Sequence, residues 1–141
     1  MKTPLKPLGL YIHIPFCKQK CCYCDFYSLS GREDRMDAYT DALCAHLSET
    51  APFASGHLVD TVYFGGGTPS YLGAKRLAKI LKVILKKFRV AKDAEITLEA
   101  NPDSAGDWKA LRTLRKCGFN RISLGMQSAD DTELAEIGRV H

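Results

Sequence analysis

Apolar residues follow two alternating patterns along this chain. Short, mostly apolar segments are typical of strands in a parallel sheet, and they alternate with stretches in which apolar residues recur at the three-and-four spacing of a helix. The predicted strands cover residues 9–14, 61–64, 95–99 and 121–125. This alternation predicts an α/β fold, in which helices cover a parallel sheet.

Two amphipathic stripes predict the first two helices. Each stripe places its apolar side chains on one face of a helix, so we expect both to lie in the core. The first stripe consists of Met36, Tyr39, Leu43 and Leu47, and the second consists of Leu77, Ile80, Leu81, Ile84, Leu85 and Phe88.

A third helix is predicted before the last strand. Its apolar positions are Trp108, Leu111 and Leu114, and a polar start is expected near residues 103–104. We expect this helix to stop at Gly118, because glycine accepts the left-handed conformation that often follows a helix.

The last segment, residues 130–141, begins like a fourth helix but shows no stop signal. A parallel sheet that ends at the fourth predicted strand would also leave backbone groups unpaired at its edge. These two features predict that residues 1–141 are the N-terminal part of a longer barrel domain, truncated at the C-terminus.

Composition excludes several classes of protein. Of the 141 residues, 45% are apolar and 26% are charged, which is the balance of one soluble globular domain. We find no apolar run near the ~18 residues that a membrane span requires and no secretory signal, so we expect a cytoplasmic protein without a transmembrane segment.

The net charge of +4 comes largely from residues 75–89 and 112–121. No aromatic residues interleave with these lysines and arginines, so they predict solvated helix faces, and no nucleic acid is expected as a partner.

Four of the six cysteines lie between Cys17 and Cys24, where disulfides would close very small loops. Metal binding is therefore the better interpretation. Cys17, Cys21 and Cys24 have the spacing Cys-x3-Cys-x2-Cys and follow the first predicted strand. Three thiolates can hold three corners of a [4Fe–4S] cluster and leave one iron open, whereas an electron-transfer cluster usually has four. An open iron can chelate an amine and a carboxylate on adjacent atoms, and the methionyl end of S-adenosylmethionine offers both.

A structural zinc site is the alternative. Cys21 and Cys24 could form it together with Cys17 or His13, since thiolates and imidazoles also suit zinc. No second Cys-x2-Cys or His-x3-His pair follows to complete such a site. Cys22 is interpreted as a spectator.

Three further features follow the other predicted strands. A triglycine segment, residues 64–70, could bring bare backbone groups close to a ligand; alternatively it is a tight turn with Thr68 or Ser70 as the helix cap. Glu99 ends the third predicted strand and Gln127 follows the fourth, so both should lie at the same rim of the sheet. A carboxylate and an amide there could bind a nucleoside, or each could only organise its own loop.

Five segments in order, residues 11–26, 63–70, 99–103, 118–128 and 138–141, resemble the radical SAM superfamily. They most closely resemble its branch of oxygen-independent coproporphyrinogen III oxidase-like proteins. The resemblance implies an incomplete TIM-like (β/α) barrel, of which about the first four βα units would be present here.

The resemblance also implies residue roles. Cys17, Cys21 and Cys24 would ligate the [4Fe–4S] cluster. The S-adenosylmethionine site would be lined by Tyr11, Tyr23, Gly66, Gly67, Thr68, Glu99, Gln127 and Arg139. An electron donor such as a flavodoxin-type protein would reduce the cluster for cleavage of S-adenosylmethionine, and no side chain is expected to act as an acid or base.

Phe26 distinguishes between two groups of proteins within this branch. Coproporphyrinogen III dehydrogenases resemble Cys-x3-Cys-x2-Cys-x-Cys, and Phe26 stands where that fourth cysteine would be. The resemblance therefore favours the haem chaperones, which bind haem and transfer it to apo-haemoproteins. Haem could then be a further ligand of the full-length protein. The alternatives are a dehydrogenase acting on the tetrapyrrole coproporphyrinogen III and a non-catalytic metal-binding module.

Overall fold

Four parallel strands form the main sheet of the computed structural model, which describes residues 3–139. They are β1 (Lys6–Ile14), β4 (His57–Gly66), β5 (Val90–Ala100) and β6 (Arg121–Leu124). Their spatial order is β1-β4-β5-β6, so each strand pairs with the next of the four along the chain. Two short strands, β2 (Phe16–Cys17) and β3 (Leu29–Ser30), pair separately. All four predicted strands are confirmed; three of them begin earlier than predicted, and β6 ends one residue earlier.

The helices connect these strands and lie mostly on one side of the sheet. They are α1 (Met36–Thr50), α2 (Ala74–Lys87), α3 (Pro102–Ala105), α4 (Trp108–Cys117) and α5 (Asp131–Glu136). Single turns of 3-10 helix cover Glu33–Arg35, Ala51–Ala54 and Pro69–Leu72. Within the described residues, no helix is long and apolar enough to cross a membrane. The parallel, open sheet confirms the predicted incomplete (β/α) barrel.

Alternate residues of the strands build the core. One face of the sheet buries Ile12, Ile14, Val62, Phe64, Ile96 and Leu98. The stripe of α2 packs on this face, and Leu77, Ile80, Leu81 and Ile84 are fully buried. Leu85 departs from the prediction, because it is 43% exposed at the margin of the stripe. On α1, Met36 and Leu47 are buried, while Tyr39 and Leu43 are partly buried against the core.

The opposite face of the sheet carries polar and aromatic side chains. Tyr11 lies on this face and is 60% exposed, while Tyr63 and Glu99 are half-buried. Tyr11, Tyr63 and Thr97 are register partners on three adjacent strands, and Glu99 lies two residues beyond Thr97. These side chains therefore approach one another across the strands.

The third predicted helix is divided in the structure. Residues 103–104 belong to the short helix α3, and α4 begins separately after Asp107, whose carboxylate accepts from the amide of Lys109 at 2.9 Å. Helix α4 therefore begins after the capping residue Asp107, which is nearer to the apolar stripe than residues 103–104 are. Trp108 is 72% exposed, so it does not belong to the core face. The predicted stop at Gly118 is confirmed by its φ of 124°.

The prediction that the last helix lacks a stop signal is wrong. Helix α5 ends at Glu136, and Gly138 adopts a φ of 73°. The amide of Gly138 donates to the carbonyl of Ala135 at 3.1 Å, and that of Arg139 donates to Leu134 at 2.8 Å. This is the Schellman arrangement, in which glycine ends a helix. Residues 140–141 lie outside the described residues.

Candidate functional site

The carboxyl ends of the parallel strands surround a cavity of about 550 Å³. This is the rim where α/β folds bind ligands, because the loops that follow the strands converge there. Its walls include the three predicted metal ligands and every predicted ligand-binding residue except Tyr11, namely Cys17, Cys21, Cys24, Tyr23, Gly66, Gly67, Thr68, Glu99, Gln127 and Arg139.

Tyr11 lies outside this cavity, on the polar face of the sheet. Its hydroxyl is 3.1 Å from Nδ1 of His13, and its ring stacks on Tyr63 with a centroid separation of 6.2 Å. The hydroxyl of Tyr63 in turn donates to Oε1 of Glu99 at 2.5 Å. Tyr11 therefore connects to cavity residues indirectly, through Tyr63 to Glu99 and through His13, whose ring lies beside Gly66.

The cysteine loop, residues 17–24, begins at the end of β2 and lines the cavity. Cys17 is buried, Cys21 and Cys24 are half-buried, and all three thiols are free. The amide of Cys24 donates to the carbonyl of Cys21 at 3.1 Å, which turns this part of the loop back on itself. Among residues 3–139, no three cysteine, histidine or acidic side chains converge closely enough to hold a single metal ion. The three thiols line a common cavity without meeting at one point.

The triglycine segment is hydrogen-bonded through its backbone to β1 and β2, the two strands that lead into the cysteine loop. The amide of Gly67 donates to the carbonyl of Ile14 at 2.8 Å, and that of Thr68 donates to Phe16 at 2.7 Å. A Cβ atom at Gly67 would lie 2.7 Å from the Phe16 carbonyl oxygen and 2.9 Å from Sγ of Cys17. The hydroxyl of Thr68 also donates to that sulfur at 3.5 Å. Glycine is therefore required at position 67 because the loop and the strand end are in close contact.

The other two glycines accommodate side chains of the polar face. A Cβ atom at Gly65 would lie 2.9 Å from the rings of Tyr11 and Tyr63. Gly66 has a φ of 120°, which other residues rarely adopt. We predicted that the glycines would bring bare backbone groups close to a ligand. In the structure, the backbone at these glycines lies close to residues of the neighbouring strands. Thr68 precedes the Pro69–Leu72 turn but makes no side-chain cap there.

Asn101 is a site residue that sequence reasoning left without a role. Its side-chain amide donates to Oγ1 of Thr68 at 3.4 Å, so it connects the end of β5 to the triglycine segment. Its backbone amide also donates to Oγ of Ser104 at 3.3 Å. Asn101 lines the cavity, and its position one residue after β5 was the signal that could have identified it.

The loop after β6 brings Gln127 to the cavity in an unusual conformation. Its φ of 63° makes it the one non-glycine residue with a positive φ within residues 3–139. Such a conformation carries a strain on the order of 1 kcal/mol, and strain of this kind often occurs where a side chain is held for function. A Cβ atom at Gly125 would lie 3.3 Å from Nε2 of Gln127, so a small residue there leaves room for the amide.

The segment after α5 closes over the cysteine loop. The guanidinium of Arg139 donates to the carbonyl of Gly125 at 2.6 Å and to the hydroxyl of Tyr23 at 3.3 Å. The amide of Cys22 donates to the carbonyl of Ile137 at 3.3 Å. Arg139 therefore joins the cysteine loop to the loop after β6, and both loops line the cavity.

Two tyrosines of the site have perturbed acidity. Burial raises the pKa of Tyr23; the hydrogen bond from Arg139 opposes this shift, and the neighbouring thiol of Cys21 adds to it. The hydrogen bond to the Glu99 carboxylate raises the pKa of Tyr63, and burial raises it further. Both hydroxyls therefore stay protonated at neutral pH and act as hydrogen-bond partners.

Comparison with known proteins identifies the family of the chain. The fold is an open α/β barrel, and a cavity lined by cysteines lies at its rim. A family model described as the radical SAM superfamily matches residues 11–141. The chain belongs to the radical SAM superfamily.

The relatives include two kinds of protein. The heme chaperone HemW of Mycobacterium tuberculosis (strain ATCC 25618 / H37Rv) is 43% identical over 142 residues, covering 98% of this chain and 36% of the relative. HemW of Escherichia coli (strain K12) is 43% identical over 141 residues, covering 97% of this chain and 36% of the relative. The oxygen-independent coproporphyrinogen III oxidase of Escherichia coli is 38% identical over 127 residues, covering 89% of this chain and 28% of the relative.

A solved structure has the same fold. The coproporphyrinogen III oxidase HemN from Escherichia coli, described as a radical SAM enzyme, superposes with a TM-score of 0.90 at 34% sequence identity. The match covers 99% of this chain and 32% of that one. This chain thus spans about a third of the length of the proteins that it matches.

Proposed function

We propose that this chain holds a [4Fe–4S] cluster through Cys17, Cys21 and Cys24 and binds S-adenosylmethionine beside it. The observation that carries the proposal is that these three free thiols line one cavity together with the other rim residues. Three thiols that line one cavity without converging on a point suit a polyatomic cluster better than a single zinc ion, whose bonds to sulfur are only about 2.3 Å long. The family to which the chain belongs supports the same pair of cofactors.

The cluster, when bound and reduced, would supply the electron that splits S-adenosylmethionine at a carbon–sulfur bond into methionine and a 5′-deoxyadenosyl radical. The protein's own side chains contribute by positioning the ligand. Glu99 supplies an acceptor, Gln127 offers both a donor and an acceptor, and the guanidinium of Arg139 supplies donors on the same cavity. Thr68 and the triglycine segment keep the Cys17 sulfur at the cavity wall.

We further propose that the complete protein is a haem chaperone, which binds haem and passes it to apo-proteins. Relatives called heme chaperones support this, with 43% identity in two organisms. Phe26 lines the cavity and is 71% exposed, at the position where a fourth cysteine would mark the coproporphyrinogen-oxidising side of the branch. A protein electron donor would reduce the cluster.

Oxidation of coproporphyrinogen III is the second candidate function. The close superposition on HemN favours it, since the two chains share the fold over nearly the whole of this one. Incubation of the reconstituted protein with coproporphyrinogen III and S-adenosylmethionine separates the candidates. Formation of protoporphyrinogen would support the oxidase, whereas haemin binding without that product would support the chaperone.

The central proposal is tested by anaerobic iron–sulfur reconstitution and EPR of the dithionite-reduced protein. We expect a cluster signal that changes when S-adenosylmethionine is added. Cys24→Ala should lose the signal, whereas Cys44→Ala, which removes a half-buried thiol of α1 away from the cavity, should keep it. Cys22→Ala should also keep it, because Cys22 is exposed. Zinc in place of iron, or a cluster indifferent to S-adenosylmethionine, would leave only a metal-binding module.

A further inference from the structure

The pair formed by Tyr63 and Glu99 lies at the border between the polar face of the sheet and the cavity. Tyr63 is on β4 and Glu99 is on β5, two residues beyond Thr97, the register partner of Tyr63. Diagonal neighbours of this kind are within reach of an aromatic side chain. The hydroxyl of Tyr63 spans the gap and donates to Oε1 of Glu99 at 2.5 Å.

The hydrogen bond restricts the carboxylate. A glutamate at a strand end can rotate about three side-chain bonds, and each rotamer points its oxygens in a different direction. A donor fixed on the neighbouring strand selects the rotamers that keep Oε1 beside Tyr63. A carboxylate has about four acceptor sites, so Oε1 and Oε2 together can still accept from a ligand in the cavity.

Neighbouring residues hold the side chain of Tyr63 in place. Its ring stacks on Tyr11 with an interplanar angle of 18°, and Gly65 leaves the space that both rings require. The negative charge of Glu99 also helps to raise the pKa of Tyr63, so the donor keeps its proton through the neutral range. Tyr63 does not line the cavity, so it acts on a ligand through neighbours that do, and Glu99 accepts its hydrogen bond.

We propose that Tyr63 is a positioning residue for S-adenosylmethionine, because it holds the Glu99 carboxylate ready to accept from the ligand's hydroxyl or amine groups. This inference rests on the proposed function of the cavity. Without the bond, Glu99 must be ordered when the ligand binds, and the lost rotamer freedom weakens binding. Tyr63→Phe removes only the hydroxyl and leaves the stacked ring in place.

The test is a double-mutant cycle on the anaerobically reconstituted chain. The dissociation constant of S-adenosylmethionine is measured by equilibrium dialysis for the wild type, Tyr63→Phe, Glu99→Ala and the double variant. We expect Tyr63→Phe to raise this constant about tenfold in the wild-type background and less than about twofold in the Glu99→Ala background, which has no acceptor for the Tyr63 hydroxyl. Iron content and the EPR signal without S-adenosylmethionine should not change.

Tyr71→Phe is the matched control. The hydroxyl of Tyr71 donates to the exposed carboxylate of Glu33, so this variant loses the same kind of bond at a different carboxylate. Its dissociation constant should equal that of the wild type. Equal effects of Tyr63→Phe in both backgrounds, or no effect in either, would overturn the positioning role while leaving the proposed function intact. A wild-type protein that holds the cluster but does not bind S-adenosylmethionine would overturn both.

Discussion

Arg139 and Tyr23 are 116 positions apart in the chain, and their side chains are joined by a hydrogen bond of 3.3 Å. The same guanidinium donates to the Gly125 carbonyl, so one side chain connects the cysteine loop to the loop after β6. The amide of Cys22 strengthens this closure through the carbonyl of Ile137. The cavity walls are therefore held together by contacts between the two ends of the described chain.

Arg139→Ala should loosen the cysteine loop without unfolding the sheet. The variant loses two hydrogen bonds from a partly exposed guanidinium, which together are worth about 1 kcal/mol. Amide hydrogen exchange at Cys22 should therefore become about fivefold faster, while amides of β4 keep their protection. Arg35→Ala, which removes an exposed guanidinium that pairs with Asp34 at 3.6 Å, is the control. Unchanged exchange at Cys22 would show that Arg139 does not secure the loop.

Gly67→Ala should displace the loop that carries Cys17. Its methyl group would lie 2.7 Å from a carbonyl oxygen and 2.9 Å from the thiol, distances that real structures avoid. We expect the free energy of unfolding to fall by about 1–3 kcal/mol in urea titrations. The amount of iron taken up on reconstitution should fall as well.

Gly56→Ala provides the comparison for Gly67→Ala. Nothing lies within 4 Å of a Cβ atom at Gly56, and its φ is not positive. Its unfolding free energy should stay within about 0.5 kcal/mol of the wild type. Equal stability of the two alanine variants would contradict the close contact between the triglycine segment and the cysteine loop.

The Tyr63–Glu99 bond predicts a pH dependence at alkaline pH. The folded pKa of Tyr63 is raised above its usual value of 10.0, so its contribution to stability is complete below that pH. The contribution is lost as the pH rises from there through the folded pKa. In ultraviolet titrations of tyrosinate, the wild type should therefore show a late-titrating group that Tyr63→Phe lacks. Glu99→Gln should shift that group to lower pH, and an unmoved titration would count against the bond.

Leu81→Ala should destabilise the core strongly. Leu81 is fully buried on α2, and large-to-small changes at such positions cost about 2–5 kcal/mol. Leu85→Ala, on the same helix but 43% exposed, should cost about 1 kcal/mol or less. Thermal or urea unfolding of both variants measures the difference. Similar losses would mean that the sheet does not bury the α2 stripe as described.

Sequence reasoning located the strands and the cysteine loop because both depend on local pattern. The apolar alternation at Ile12 and Ile14 and the spacing from Cys17 to Cys24 can be recognised without any neighbour in space. The pairing of Tyr63 with Glu99 could not be predicted, because it depends on the register between two strands. The division between α3 and α4 was missed because Asp107 competes with earlier polar residues as a helix cap.

The order of the main sheet also determines how it can be assembled. β4 docks on β1, β5 on β4 and β6 on β5, so each new strand meets an edge made by a unit that precedes it in the chain. During synthesis from the N-terminus, the sheet can therefore grow at a single edge as each unit leaves the ribosome. The bond from Arg139 to Tyr23 closes a far longer loop, and it can form only once Arg139, which follows all four strands in the chain, has been synthesised. The cysteine loop would then remain open to an incoming cluster while the scaffold beneath it is already folded.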